Sequence, residues 1–376
     1  RLWPTTIPPD PWGILVRSFY RLLVQQPLLH TAAGAVGGGS GTGKWVTPLQ
    51  AVFPDDVIRA NPMLLNALLS QGIPIVDAPA EVCRMLQDLT LGPQRTVYVS
   101  PDYVRSWLKR GQSKIPLNRE AGLKVLEYCM EDIIDDEPSS VENLIGLELC
   151  PLGDGSFGMF TPKGGGEMLY IVDALESDIL TTLPQLQVDR HIPAGVHERL
   201  ASIARSKCLN IGPVSAPHLA HLLHFLLPKE WKRRQVVDWA PLPSQVESKR
   251  SAPSKSRAPG HPTTEWLRLL WEWIQKKAPR DLGLFRDWPI LPVAGSRLCC
   301  LNPNPCVIHP QGPGSAVEEE GSVGGWSKAL SSILQRLQCF ILDPNFKVQH
   351  PELGQYVNEA SGHGVLHAIT NSMREV

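Results

Sequence analysis

No apolar run in this 376-residue chain is long enough to cross a bilayer as a helix. The longest, residues 219–227, is broken by His221 and His224. Neither sign of charge is in excess: 36 basic residues face 37 acidic ones, for a formal net charge of -1. Global attraction to nucleic acid or to an anionic membrane is therefore not expected. Cys-x-x-Cys pairs are absent from the eight cysteines, Cys83, Cys129, Cys150, Cys208, Cys299, Cys300, Cys306 and Cys339. A signal peptide is not visible either, so the scattered thiols point to a reducing compartment, most simply the cytosol. The chain opens at Arg1 rather than at methionine, which reads as a piece of something longer. Ser–His–Asp order, a nucleophile elbow and a reactive-cysteine signature are all missing, so no catalytic residue is assigned.

The residues present have an ordinary globular balance, 43% hydrophobic and 19% charged. Proline (35) and glycine (31) are abundant and predict many short elements joined by long connections. The length suggests two domains. The expected fold is α+β, mixed short strands and helices in two sub-domains. Residues 1–242 form the first, with a further division available near 140. Residues 243–264, rich in Pro, Ser, Lys and Arg, form a flexible linker, and 265–376 the second, smaller domain.

Periodicity and capping residues predict the elements. Asp10 and Pro11 start a helix over 10–26 with Leu15, Phe19, Leu22 and Leu23 on one face. Pro48 starts a short helix ending near Phe53. Residues 73–76 and 97–99 read as strands and 79–89 as a helix. Ser100–Pro101 and Asn118 begin two more helices. Residues 147–160 read as a hairpin about Gly153-Asp154-Gly155-Ser156. A strand over 169–172 and a helix over 215–227 follow. Beyond the linker come a helix over 266–274, a hairpin about Ala294-Gly295-Ser296, a low-complexity loop over 311–325, and helices over 327–337 and from 365.

Several clusters invite chemistry. Gly38-Gly39-Ser40-Gly41-Thr42-Gly43-Lys44 has the G-x-x-x-x-G-K spacing in which backbone N–H groups cradle phosphate and lysine neutralises it. Trp45 stands where a magnesium-binding Ser or Thr belongs, so a glycine-rich connection is the weightier reading of Gly38, Gly43 and Lys44. His218, His221 and His224 fan over about 120° of a helix opposite its leucines, a solvated face rather than a metal pair. Cys299, Cys300, Cys306 and His309 offer four zinc donors. Adjacent cysteines rarely share an ion, however, and buried strand cysteines are common, so no metal is expected. Lys229, Lys232, Arg233 and Arg234 with Trp231 and Trp239 make a small basic and aromatic patch, read as a solvated helix end. Glu131, Asp132, Asp135, Asp136 and Glu137 read as a helix end fraying into water. Trp266, Trp271 and Trp273 share one helix that cannot bury all three on one face, so at least one is expected at a domain or partner interface.

Taken in series, several segments resemble the large repeats of sacsin-like proteins. They are Gly43-Lys44-Trp45-Val46 running on to Ala51-Val52-Phe53, Leu147-Glu148-Leu149-Cys150-Pro151-Leu152-Gly153-Asp154-Gly155-Ser156-Phe157, Leu227-Pro228-Lys229-Glu230-Trp231, Trp288-Pro289-Ile290-Leu291-Pro292-Val293, and residues 357–369. The resemblance implies a cytoplasmic scaffold or chaperone-like segment that contacts proteins, clients or co-chaperones, and the rest of its parent polypeptide. Repeats of that kind begin with a GHKL-type ATP-binding domain, related to that of the ninety-kilodalton heat-shock chaperones. Its D-x-G-x-G loop and Asn/Asp-bearing helix are not found here, so the resemblance is to the part that follows, without a cofactor. The alternative is a degenerate P-loop nucleotide-binding enzyme using Lys44.

Overall fold

The computed structural model describes residues 11–31 (24 apart), 44–76 (49 apart), 97–110, 117–239 (135 and 136 apart), 262–302, 306–309, 339–346 and 350–358, with a few positions between 333 and 370. The fold is α+β, with helices set among sheets of two or three short strands. Two compact units are formed, residues 1–170 with 188–212, and 171–187 with 213–376.

The first unit opens with α1 (Trp12–Leu23), β1 (Leu29–His30), β2 (Trp45–Val46) and β3 (Val52–Phe53). The short helix expected from Pro48 is not formed. Val52 and Phe53 instead pair in parallel with β4 (Val97–Tyr98), and Val52 also exchanges hydrogen bonds with Pro74 and Val76. Both side chains are buried there, and that long-range pairing outweighs a Pro-initiated turn. Two helices follow that periodicity passed over, α2 (Asp56–Ala60) and α3 (Pro62–Ser70). Asp55 caps the first, accepting from Ile58 N at 2.8 Å. Asn61 caps the second, accepting from Leu64 N at 3.1 Å, with Pro62 in its first turn. The helix expected over 79–89 lies outside the described residues.

Ser100 caps α4 (Pro101–Lys109) and Asn118 caps α5 (Arg119–Cys129), as the sequence predicts. Helices α3 and α5 pack on each other, and α5 packs on the hairpin that follows a short α6 (Pro138–Val141). That hairpin is β5 (Glu148–Pro151) paired antiparallel with β6 (Phe157–Met159). The Tyr128 hydroxyl on α5 donates to Asp55 Oδ2 at 2.7 Å, with the Val99 carbonyl 3.1 Å away. Burial first, and then the Asp55 carboxylate, hold this phenol protonated well above its ordinary range.

The chain then runs through β7 (Leu169–Ile171) to α7 (Ala174–Ile179) in the second unit, and returns for α8 (Ala194–Arg205) in the first. Asn210, buried just before β8 (Ile211–Pro213), spans a loop of the first unit. Its Nδ2 donates to the Glu167 carbonyl at 2.7 Å, and its Oδ1 accepts from Thr161 N at 2.9 Å.

The rest of the second unit comprises α9 (Ala216–Leu226), β9 (Val236–Asp238), α10 (Thr264–Lys277), β10 (Pro289–Val293) and β11 (Arg297–Cys300), then β12 (Cys306–Ile308), β13 (Cys339–Ile341) and β14 (Val357–Asn358). β11 is the centre of an antiparallel sheet with β10 and β9. β12 is the centre of a parallel sheet with β13 and β14. Linker residues 243–261 lie outside the described residues, as does most of 327–337. Helix α10 starts at Thr264, capped by Thr263, which accepts from Trp266 N at 3.0 Å.

The tryptophan-rich helix is buried on two sides rather than one. Trp273 Nε1 donates to Glu176 on α7 at 3.0 Å, and Trp271 Nε1 to the Ile290 carbonyl on β10 at 2.8 Å. Trp266, partly exposed, donates to the Ile179 carbonyl at 2.9 Å. All three indole N–H groups are used inside the second unit, and Trp266 is the one of the three left partly exposed.

Candidate functional site

Gly38 and Gly43 lie outside the described residues, and Lys44 is the first residue after them that is placed. Its backbone exchanges hydrogen bonds with Thr31: Lys44 N donates to Thr31 Oγ1, and Thr31 N to the Lys44 carbonyl, each at 2.9 Å. β2 follows at once and pairs antiparallel with β1. Lys44 thus leads into a strand, whereas the lysine of a phosphate-binding loop leads into a helix whose N-terminus faces the anion. Trp45 is 65% exposed and meets the His30 ring edge-on at 5.3 Å.

The Leu-Cys-Pro-Leu-Gly-Asp-Gly-Ser-Phe segment is a turn whose composition is accounted for by packing. Asp154 Oδ1 accepts from both the backbone N (3.0 Å) and the hydroxyl (2.6 Å) of Ser156. Gly155 adopts φ +87°, open to glycine at little cost. Leu149, Cys150 and Leu152 turn into the core. The Phe157 ring lies against Gly122 of α5 so closely that a Cβ there would come within 2.6 Å of Cε2, and nearer still to Cζ. Here Asp154 ties a turn and faces no reacting group.

The acidic run after α5 is more than a fraying end. Arg105, only 3% exposed, donates from Nη2 to Asp132 Oδ2 at 2.9 Å and from Nη1 to the Cys129 carbonyl at 2.7 Å. Burial works against its charge, and the Asp132 contact more than offsets this. Asp135 and Asp136 lie outside the described residues. A cleft of about 350 Å³ nearby is lined by Asn61, Lys124, Glu127, Tyr128, Glu131 and Arg199, among others. Within it Lys124 pairs with Glu127 at 2.8 Å, and Arg199 donates to the Ile133 carbonyl.

Among the described residues no three His, Cys, Asp or Glu side chains converge as a metal site. Cys299 and Cys300 are buried neighbours on β11, and burial raises both thiols. Burial likewise pushes Cys129 up to about 12, so these groups are protonated thiols near neutrality. His218 bonds Ser215 at 2.9 Å, and His221 is exposed as expected. His224 is half-buried, with its ring 6.4 Å from that of Trp288. Trp231 and Trp239 of the basic patch are buried, and its Lys and Arg side chains are exposed. Among the described residues, no helix is long and apolar enough to cross a membrane.

The site chemistry therefore defines a class first: an α+β chain whose recurring Gly, Pro, Trp and Leu segments chiefly build turns and core. The chain is sacsin-like. It is 25% identical to human sacsin over 383 residues, a match that takes in 97% of this chain and 8% of sacsin. No family model matches the chain, and no solved structure matches it.

Proposed function

We propose that the chain is a non-catalytic interaction segment, scaffold- or chaperone-like, within a larger sacsin-like cytoplasmic protein. The observation that carries this reading is the similarity to sacsin along 97% of the chain. The use made of the motif side chains supports it: Leu149, Leu152, Trp231, Trp288 and Leu291 are buried, and Asp154 closes a turn. Its partners are proteins, clients or co-chaperones, and the remainder of the parent polypeptide, where any GHKL-type ATPase preceding this segment resides. It needs no cofactor, metal, nucleic acid or membrane.

The test is aggregation of a thermally unfolding client enzyme, followed by light scattering with and without the full chain. Slower aggregation at stoichiometric ratios is expected. Unchanged aggregation together with no capture of native partners would sink the proposal. Calorimetry with magnesium ATP addresses the nucleotide-binding alternative: micromolar binding abolished by Lys44→Ala would replace the present reading with a phosphate site at Lys44.

A further inference from the structure

A second surface combines charge with exposed apolar groups at the end of α9. Phe225 is 46% exposed there, and the rings of His221 and His224 meet it edge-on at 6.1 and 5.4 Å. Leu284, also 46% exposed, lies in the turn Leu282–Phe285 against which α9 packs. After α9 the chain turns through Lys229–Trp231, with Trp231 as its buried anchor, so Lys229 and Lys232 are left facing water. Arg233 adopts φ +64° and donates its backbone N–H to the Asp287 carbonyl at 2.7 Å. This ties the basic turn to the segment that follows Leu284. Its guanidinium is exposed, 4.0 Å from the Asp287 carboxylate. Arg234 and Arg286 are exposed as well. The stretches 229–234 and 281–287, which these contacts tie together, thus carry five cations against the acids Glu230, Asp281 and Asp287. Among the described residues, Lys229, Lys232 and Arg234 form no ion pair.

We infer that the exposed Phe225 and Leu284, with the exposed cations of residues 229–234 and Arg286, dock an acidic peptide segment bearing apolar side chains. The inference rests on the interaction-segment reading above and supplies the partner's chemistry. Exposed cations accelerate encounter with a negative chain and set its orientation, while the apolar centre holds it once desolvated. A protein fits better than a nucleic acid. Single-stranded binding needs exposed aromatic platforms beside the charges, and Trp231 and Trp239 are in the core. The exposed rings left are Phe225 and the smaller His221, edge-on to each other beside an aliphatic leucine, which suit side chains better than stacked bases.

The test is fluorescence anisotropy of the full chain with a fluorescein-labelled peptide of alternating glutamate and leucine. Polyglutamate, an alternating lysine–leucine peptide and oligothymidylate serve as comparisons. Saturable binding of the glutamate–leucine peptide is expected, stronger than polyglutamate and weakening as salt rises. Phe225→Ser and the double charge reversal Lys232→Glu/Arg234→Glu should each weaken it about tenfold or more. Because all three side chains are exposed, an unchanged thermal midpoint verifies that each variant is folded. Absent binding, equal affinity in the variants, or oligothymidylate binding more tightly with the same loss on charge reversal would each overturn the inference. The two readings fail separately: a chain that slows client aggregation without binding the peptide loses only the docking face.

Discussion

Replacing Gly122 by alanine sets two known effects against each other. In an unobstructed helix interior, alanine is favoured over glycine by about 1 kcal/mol. On α5, however, the new methyl would meet the Phe157 ring, with Cε2 at 2.6 Å and Cε1 at 3.0 Å. Forcing a methyl into a filled contact costs about 1–3 kcal/mol, and the lower end applies if the ring tilts away at the edge of its hairpin. Gly122→Ala should therefore leave α5 unchanged or weaker by up to about 2 kcal/mol. With Phe157→Ala already in place the obstruction is gone, and the same substitution should stabilise by about 1 kcal/mol. The coupling between the two positions is then about 1–3 kcal/mol. Because the chain holds two compact units, the readout should be local: opening free energies of the amides of residues 119–129, from hydrogen exchange by mass spectrometry. If Gly122→Ala slows exchange equally in both backgrounds, the ring does not sit on α5, and the account of the Asp-Gly-Ser-Phe turn as a packing device is wrong.

Other consequences follow from the same contacts. Trp273→Phe removes the indole donor from Glu176, which is 4% exposed, and should cost about 2–3 kcal/mol by denaturant unfolding, falling to roughly 1 in a Glu176→Gln background, whose amide oxygen still accepts but is neutral; equal costs in the two backgrounds would show that the acceptor's charge adds nothing to this hydrogen bond. The Asp173 cap of α7 feels burial, but the Glu176 N–H and the Lys277 ammonium outweigh it and hold its carboxyl below the ordinary 3.8. Lys277 is raised above 10.5, chiefly by its hydrogen bond to Asp173 and against a smaller effect of burial. The carboxylate's contribution is thus complete above pH 3.8 and lost as pH falls through its lowered value, whereas the ammonium's is complete below pH 10.5 and lost as pH rises through its raised one. Both groups are about half exposed, so the pair is worth roughly 0.2–1 kcal/mol, and Asp173→Asn, which keeps a cap, should lower the thermal midpoint near neutrality but progressively less as pH falls through the lowered value of the carboxyl. Of Cys129, Cys150, Cys208, Cys299, Cys300 and Cys339, Cys208 is the one not fully buried, so native-state labelling with a disulfide reagent should modify it before the other five, and Cys208→Ser should remove that phase; labelling of Cys299 or Cys300 at the same rate would contradict the burial that keeps them protonated.

Local signals made part of this fold readable. Ser100 and Asn118 announce α4 and α5 because a side-chain cap is a property of four consecutive residues. The hairpins about Gly155 and Gly295 are readable for the same reason. Asp55 and the Asn61-Pro62 pair carried the same kind of signal for α2 and α3, and a search for caps rather than for apolar periodicity would have found them. What stayed hidden depends on distant partners. Val52–Phe53 becomes strand because residues 97–98 arrive beside it, and Cys306–Ile308 because two later segments pair with it in parallel. Asp132 looked like part of a solvated acidic end because Arg105, whose charge it compensates, lies 27 residues earlier. Nothing in composition at 170–171 marks the excursion of residues 171–187 into the second unit.

The segments that carry the resemblance are mostly buried, and this bears on where specificity resides. Leu147, Leu149, Cys150 and Leu152, then Leu227 and Trp231, then Trp288, Ile290 and Leu291 each spend their side chains on the core. A sequence can diverge widely and keep such positions, since a core asks mainly for volume and pattern. A resemblance carried by these segments therefore speaks for architecture and says little about which partner is met. Residues that meet partners have to be exposed, and exposed residues are free to vary without loss of the fold. In this chain the Leu-Pro-Lys-Glu-Trp segment does both at once: Leu227 and Trp231 hold the turn while Lys229 faces water beside Lys232 and Phe225. The buried half of that segment fixes where its charged half stands, so a relative could keep the turn and change its partner by altering only the residues that face outward.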